Sequence, residues 1–127
     1  MKQLVLVVDD ERFFRKLVMR ILAEKYEVYE AINGYDAIEQ VRRLHPDLVI
    51  MDLAMPECNG LEAIRRLREE SPACKIVACT VHSDPQYRVA ALESGAQAFL
   101  PKRLIFSQIT PLLNSMLNSG NRPQSRA

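Results

Sequence analysis

Three carboxylates stand where a folded chain seldom leaves charge. The run Leu48 to Met51 ends in Asp52, and the run Leu4 to Val8 ends in Asp9 and Asp10, with Glu11 next. An apolar run of this length with nothing polar inside it reads as a strand buried on both faces of a sheet. A charge on the last residue of such a strand is costly unless something at the sheet edge needs it. Two buried strands that both end in acid suggest one acidic pocket at one end of one sheet. Carboxylates that close repel, so either one keeps its proton or a hard cation sits among them. Magnesium is the best candidate, because it takes a few carboxylates, keeps waters and leaves positions for phosphate oxygens. Two further polar strand ends complete the set: the Thr80 hydroxyl at the end of a strand from Lys75 to Thr80, and Lys102 just past Ala98-Phe99-Leu100. A cation, an ammonium and a hydroxyl around a carboxylate make a site for a phosphoryl group. The carboxylate itself can be the nucleophile, giving an acyl phosphate. There is no glycine-rich phosphate cradle, which argues against a nucleotide.

The elements that must position these groups follow from hydrophobic periodicity. Phe14, Leu17, Val18, Ile21 and Leu22 fall on one helical face, while Arg12, Arg15, Lys16 and Arg20 read as solvated. Val28 to Ala31 is a short second strand with polar residues interspersed, suited to a sheet edge. Asn33-Gly34 turns into a second helix, which His45-Pro46 stops because a residue before proline avoids the α region. His45 there reads as a plain loop residue. A third helix starts at the cap Asn59, with Glu62 three residues on as in a capping box. Its Leu61, Ile64 and Leu67 face inward, Arg65, Arg66 and Arg68 read as solvated charge, and Ser71-Pro72 ends it. Asp84-Pro85 reads as N-cap and first residue of a fourth helix, with Gly95 as its left-handed C-cap. Ser107 is expected to cap a last helix carrying Ile109, Leu112, Leu113 and Met116, with Pro111 in or just beyond its first turn.

Strands alternating with helices in this way predict an α/β fold, a doubly wound five-stranded parallel sheet with five helices covering both faces. The order 2-1-3-4-5 fits best, since it puts the weakly apolar second strand at an edge. The topological switch point then falls between the first and third strands, whose carboxyl ends carry Asp9, Asp10 and Asp52.

Composition narrows the class without naming it. At 127 residues the chain suits one domain, expected to span 1–118, followed by a polar tail or start of a linker from Ser119 to Ala127. A net charge of +1 offers no argument for nucleic acid or an anionic membrane as partner. Cys58, Cys74 and Cys79 lack metal-ligand spacing with His45 or His82 and read as free thiols in a reduced compartment. The opening apolar run is too short for a signal peptide or a membrane span, so a cytoplasmic protein is expected.

From Leu4 to about Leu117 the chain resembles the receiver domains of bacterial two-component response regulators, which share a flavodoxin-like fold. The resemblance rests on Asp9-Asp10, on Asp52 followed by Met55-Pro56 and Gly60, on Thr80, and on Phe99 three residues before Lys102. It implies that Asp52 accepts a phosphoryl group from a sensor histidine kinase or phosphotransfer protein. It also implies that Asp10, Asp9, Asp52 and the backbone carbonyl of Ala54 bind Mg2+, that Lys102 pairs with the phosphoryl group, and that Thr80 hydrogen-bonds it. Phe99 would be the aromatic that swings inward when Thr80 moves. Such a domain is no enzyme beyond catalysing its own Mg-dependent phosphorylation and dephosphorylation. Its output would pass to an effector domain or protein through the face of the fourth helix, fifth strand and fifth helix. The alternative is a receiver-like interaction module that is never phosphorylated.

The chain departs from the family pattern at a few places. Lys102 is normally followed by proline through a cis peptide, but here Arg103 follows and Pro101 precedes. Cis before a non-proline residue costs about 2.5–4 kcal/mol, so a trans bond is expected, with the flexible Lys102 stem still reaching Asp52. Val81 is bulkier than the small residue usual after the threonine. Of the two positions that tune dephosphorylation in the family, Ala54 cannot orient a water, and His82 is either a water-orienting group or a solvated loop residue.

Overall fold

Along each central strand the side chains alternate between two apolar layers, and a helical layer covers each. The computed structural model describes residues 2–55, 59–82 and 84–118. Pro56, Cys58 and the tail from Ser119 to Ala127 lie outside the described residues. The elements run β1 (Gln3–Val8), α1 (Arg12–Leu22), β2 (Tyr26–Ala31), α2 (Gly34–Leu44), β3 (Leu48–Met51), α3 (Gly60–Glu70), β4 (Lys75–Thr80), α4 (Pro85–Ser94), β5 (Ala98–Pro101) and α5 (Ile105–Asn118), with a 3-10 turn at Lys102–Leu104. The sheet is five-stranded and parallel in the order β2-β1-β3-β4-β5, as expected.

Leu6, Val8, Val49, Met51, Ile76 and Ala78 face the layer of α2, α3 and α4, where they meet Ile38, Val41, Ile64 and Leu67. Val5, Val7, Leu48, Ile50, Val77, Cys79 and Leu100 face α1 and α5, against Phe14, Val18, Ile109 and Leu113. Full burial of each such aliphatic side chain contributes roughly 1.5–3 kcal/mol. That sum lets the sheet carry buried charge at its carboxyl end, where each enclosed carboxylate works against folding.

Several local expectations need correction. Ser107 is not the cap of α5: the helix starts at Ile105 straight from the 3-10 turn, and Ser107 Oγ reaches back to the Leu104 carbonyl at 3.5 Å. Pro111 therefore lies inside the helix, past its first turn. His45 is more than a loop residue. It takes the left-handed conformation (φ 51°) and its N–H caps α2 on the Val41 carbonyl. Gly95 does end α4 with positive φ, but at 126°, outside the usual left-handed well. Asp84 holds the N-cap position of α4 without a side-chain cap bond, whereas Asn33 and Asn59 accept the N–H groups of Asp36 and Glu62. Arg68 is half-buried instead of solvated. It donates to the carbonyls of Pro72, Cys74 and Gly95, which ties α3 to the loops that lead into β4 and β5.

Candidate functional site

The register of the sheet assembles the site. Val8 pairs with Met51, so Asp9 and Asp52 emerge side by side one residue later, and the Asp52 N–H donates to the Val8 carbonyl at 3.0 Å. On the other flank Met51 pairs with Ala78 and Thr80 with Pro101, which puts Thr80 and Lys102 at the same end of the sheet. Carboxylate oxygens of Asp9, Asp10 and Asp52 lie within 4.8 Å of one another. Asp9 and Asp52 are buried, whereas Asp10 is exposed at the mouth.

Lys102 balances this charge. Its Nζ lies 2.6 Å from Asp9 Oδ2, 3.8 Å from Asp52 Oδ2 and 3.9 Å from Glu11 Oε1, and 4.3 Å from the centroid of the Phe14 ring. No cis peptide is present among the described residues, so the Lys102–Arg103 bond is trans and Lys102 nevertheless reaches Asp52. Burial works against its charge, but Asp9, Asp52 and Glu11 outweigh that and hold its pKa above the ordinary lysine value. Burial first, and the Asp9 carboxylate second, push the Asp52 carboxyl up to about 6, against the pull of Lys102 and of the Ala54 N–H.

The donor set fits a hard divalent cation. Asp9 Oδ1 is occupied by the Glu11 N–H at 2.8 Å. Asp9 Oδ2 is fully enclosed and is paired with the Lys102 ammonium at 2.6 Å. Three carboxylates gathered within 4.8 Å, with one ammonium in close contact with only one of them, offer the oxygen ligands that a hard divalent cation takes.

The other expected residues stand as follows. Thr80 is wholly buried, and its Oγ1 accepts the His82 N–H at 3.2 Å. Ala54 is exposed in the loop after β3, its N–H 3.4 Å from Asp52 Oδ1. Phe99 is half-buried, paired with Ala78 and packed on the layer of α2 to α4. His82 is exposed and stacks on Tyr87 of α4 at 4.9 Å between ring centroids, while Val81 beside it is 67% exposed.

Sequence reasoning assigned no structural role to two supports of this end of the sheet, although Gly60 is part of the family pattern. Gly60 comes so close to the Asp52–Leu53 backbone that a Cβ there would collide with the Asp52 carbonyl and stand 2.6 Å from Leu53 Cα. Arg15, expected in solvent, is buried, and donates to the Asp9 carbonyl at 2.8 Å and to Glu30 Oε1 at 2.7 Å. The signal for Arg15 was present: it stands three residues before Val18 and seven before Leu22, the spacing of the apolar stripe itself.

Among the described residues no helix is long and apolar enough to cross a membrane. Residues 5–114 match the model of the response regulator receiver domain. The chain is 37% identical over 114 residues to the chemotaxis protein CheY of Thermotoga maritima, covering 88% of this chain and 95% of that one. It is 36% identical over 103 residues to the transcriptional regulatory protein DegU of Brevibacillus brevis, which covers 79% of this chain but only 44% of the relative. Among solved structures, chemotaxis protein CheY4 of Vibrio cholerae superposes with a TM-score of 0.86 at 27% identity, over 92% of this chain and all of that one. The parallel sheet carries its acids at the switch point, and by these matches the chain belongs to the receiver domain family of two-component response regulators.

Proposed function

We propose that Asp52 is the phosphoacceptor and that Asp9, Asp10 and Asp52, with the Ala54 carbonyl, hold a Mg2+ ion. The observation that carries this is the placement of the buried Asp52 carboxylate between two other acids and the Lys102 ammonium. A bound magnesium ion offsets negative charge on the carboxylates and on the incoming phosphoryl group. An Asp52 carboxylate oxygen attacks the phosphorus of a phosphohistidine on the donor. The O–P bond forms as the N–P bond breaks, and the donor leaves with the electron pair on its imidazole nitrogen. Lys102, already 3.8 Å from Asp52, pairs with the transferred oxygens, and the Thr80 hydroxyl hydrogen-bonds them. Attack of water on the phosphorus breaks the O–P bond, releases inorganic phosphate and returns the Asp52 carboxylate, so the domain catalyses only its own loading and unloading.

The partners that follow are a sensor histidine kinase or a phosphotransfer protein, and an effector reached through α4, β5 and α5. The bistable element is the pair Thr80 and Phe99, on adjacent strands. The domain occupies 1–118, with the residues beyond it a tail or linker. Intact-mass spectrometry after incubation with acetyl phosphate tests the reading. One phosphate is expected with MgCl2 and none with excess EDTA. A protein that stays unmodified with MgCl2, or is modified equally with EDTA, contradicts it.

A further inference from the structure

We propose that Arg15, locked by Glu30, is a positioning residue for the cation site: it holds the peptide between Asp9 and Asp10 and so sets how that acidic pair meets the ion. The inference rests on the reading of Asp9, Asp10 and Asp52 as cation ligands.

Arg15 stands in the first turn of α1 and is 9% exposed. A guanidinium taken out of water needs partners to offset the loss, and both of its partners are informative. Nε donates to Glu30 Oε1 at 2.7 Å, and Glu30 is itself held from its other oxygen by Lys16 Nζ at 2.6 Å. Nη1 donates to the Asp9 carbonyl at 2.8 Å. The planar fork thus has its orientation set by β2 and delivers an Nη1 N–H to the backbone that links the two acids.

Pinning α1 to β2 requires only the bond to Glu30. The bond to the Asp9 carbonyl has another consequence. The Asp9 N–H already donates to the Ala31 carbonyl at 3.1 Å, and Oδ1 accepts from Glu11 at 2.8 Å. With the carbonyl also bound, the backbone and Oδ1 of Asp9 are fixed by neutral or guanidinium donors, and the enclosed Oδ2 faces the Lys102 ammonium. The direction in which Asp10 leaves the strand follows from the same peptide plane. Hydrogen bonds behind metal ligands typically carry 10–100-fold in affinity, because a ligand that must be reoriented binds less well.

The test is Mn2+ binding to the full chain, followed by the electron paramagnetic resonance of the free ion, with circular dichroism on the same samples. Arg15→Met keeps the aliphatic body and removes both bonds. It is expected to weaken Mn2+ binding about 10-fold or more while the protein stays folded at the assay temperature. Glu30→Gln, which loosens the lock and keeps Arg15, is expected to weaken binding by a smaller factor. A purely structural arginine would lower the thermal midpoint and leave the Mn2+ affinity of the folded protein unchanged; that result overturns the proposal. Should Arg15→Met fail to fold, Glu30→Gln decides alone, and wild-type affinity in it counts against the proposal. A wild-type protein that binds no Mn2+ overturns the underlying metal reading instead, and is seen before any variant is made.

Discussion

Lys102 holds the charge balance of the site, and it does so from a position shared between two acids. Its closest partner is Asp9 and not Asp52, at 2.6 Å against 3.8 Å. The ammonium therefore compensates the two buried carboxylates together, while burial and Asp9 still hold Asp52 up at about 6. Gly60 supports the same residue from below through a backbone approach that leaves no room for a methyl group. Gly60→Ala is accordingly expected to destabilise the domain by about 1–3 kcal/mol, the usual cost of overpacking. Urea denaturation measures it, and an unchanged midpoint would show that α3 can back away from Asp52 freely.

At the scale of elements, α1 is fastened to β2 through Arg15, Lys16 and Glu30. The Lys16 hydrogen bond, with that of Arg15, holds the Glu30 carboxyl below the usual carboxylate range in spite of its partial burial. A depressed folded pKa contributes stability that is present above the unfolded value of about 4.3 and is lost as pH falls through the folded one. The stability gap between wild type and Glu30→Gln should thus be level from neutral pH down to about pH 5 and shrink below about pH 4.3. A gap undiminished at pH 3 in denaturation curves would contradict the assignment. In α5, Pro111 lies inside the helix and offers no N–H to the carbonyl four residues back. Proline is disfavoured by roughly 3 kcal/mol relative to alanine in a helix interior, so Pro111→Ala should raise the thermal midpoint. An equal or lower midpoint would mean that the proline ring itself packs usefully.

Most elements were legible in the sequence because periodicity reports burial directly: Leu48 to Met51 could only be a strand covered on both faces. What escaped depends on partners distant in sequence. Arg15 and Arg68 look like any charged residues on a helix until Asp9, Glu30, Gly95 and Cys74 are folded beside them. The start of α5 was misplaced because Ser107 has the side chain of a cap, whereas the 3-10 turn at Lys102–Leu104 continues directly into the helix. His45 escaped because a residue before proline is expected in extended backbone, and here it closes α2 in the left-handed region.

In the molecule as a whole, the two apolar layers make a rigid frame that leaves chemistry to one end of the sheet. The acids, Thr80 and Lys102 were legible there because each stands where an apolar strand stops, and parallel strands bring such ends together. Their distances were not legible, since they depend on a one-residue register and on a loop that carries Arg103 after the lysine. The central claim, that Asp52 is the acceptor, is tested most directly by reductive trapping. Borohydride converts an aspartyl phosphate to homoserine with release of phosphate, and peptide mapping then locates the changed residue. After acetyl phosphate and MgCl2, homoserine is expected at position 52 alone, and Asp52→Asn is expected to show none at any site. Homoserine at Asp9, Asp10 or elsewhere, or stoichiometric trapping in Asp52→Asn, would contradict the account.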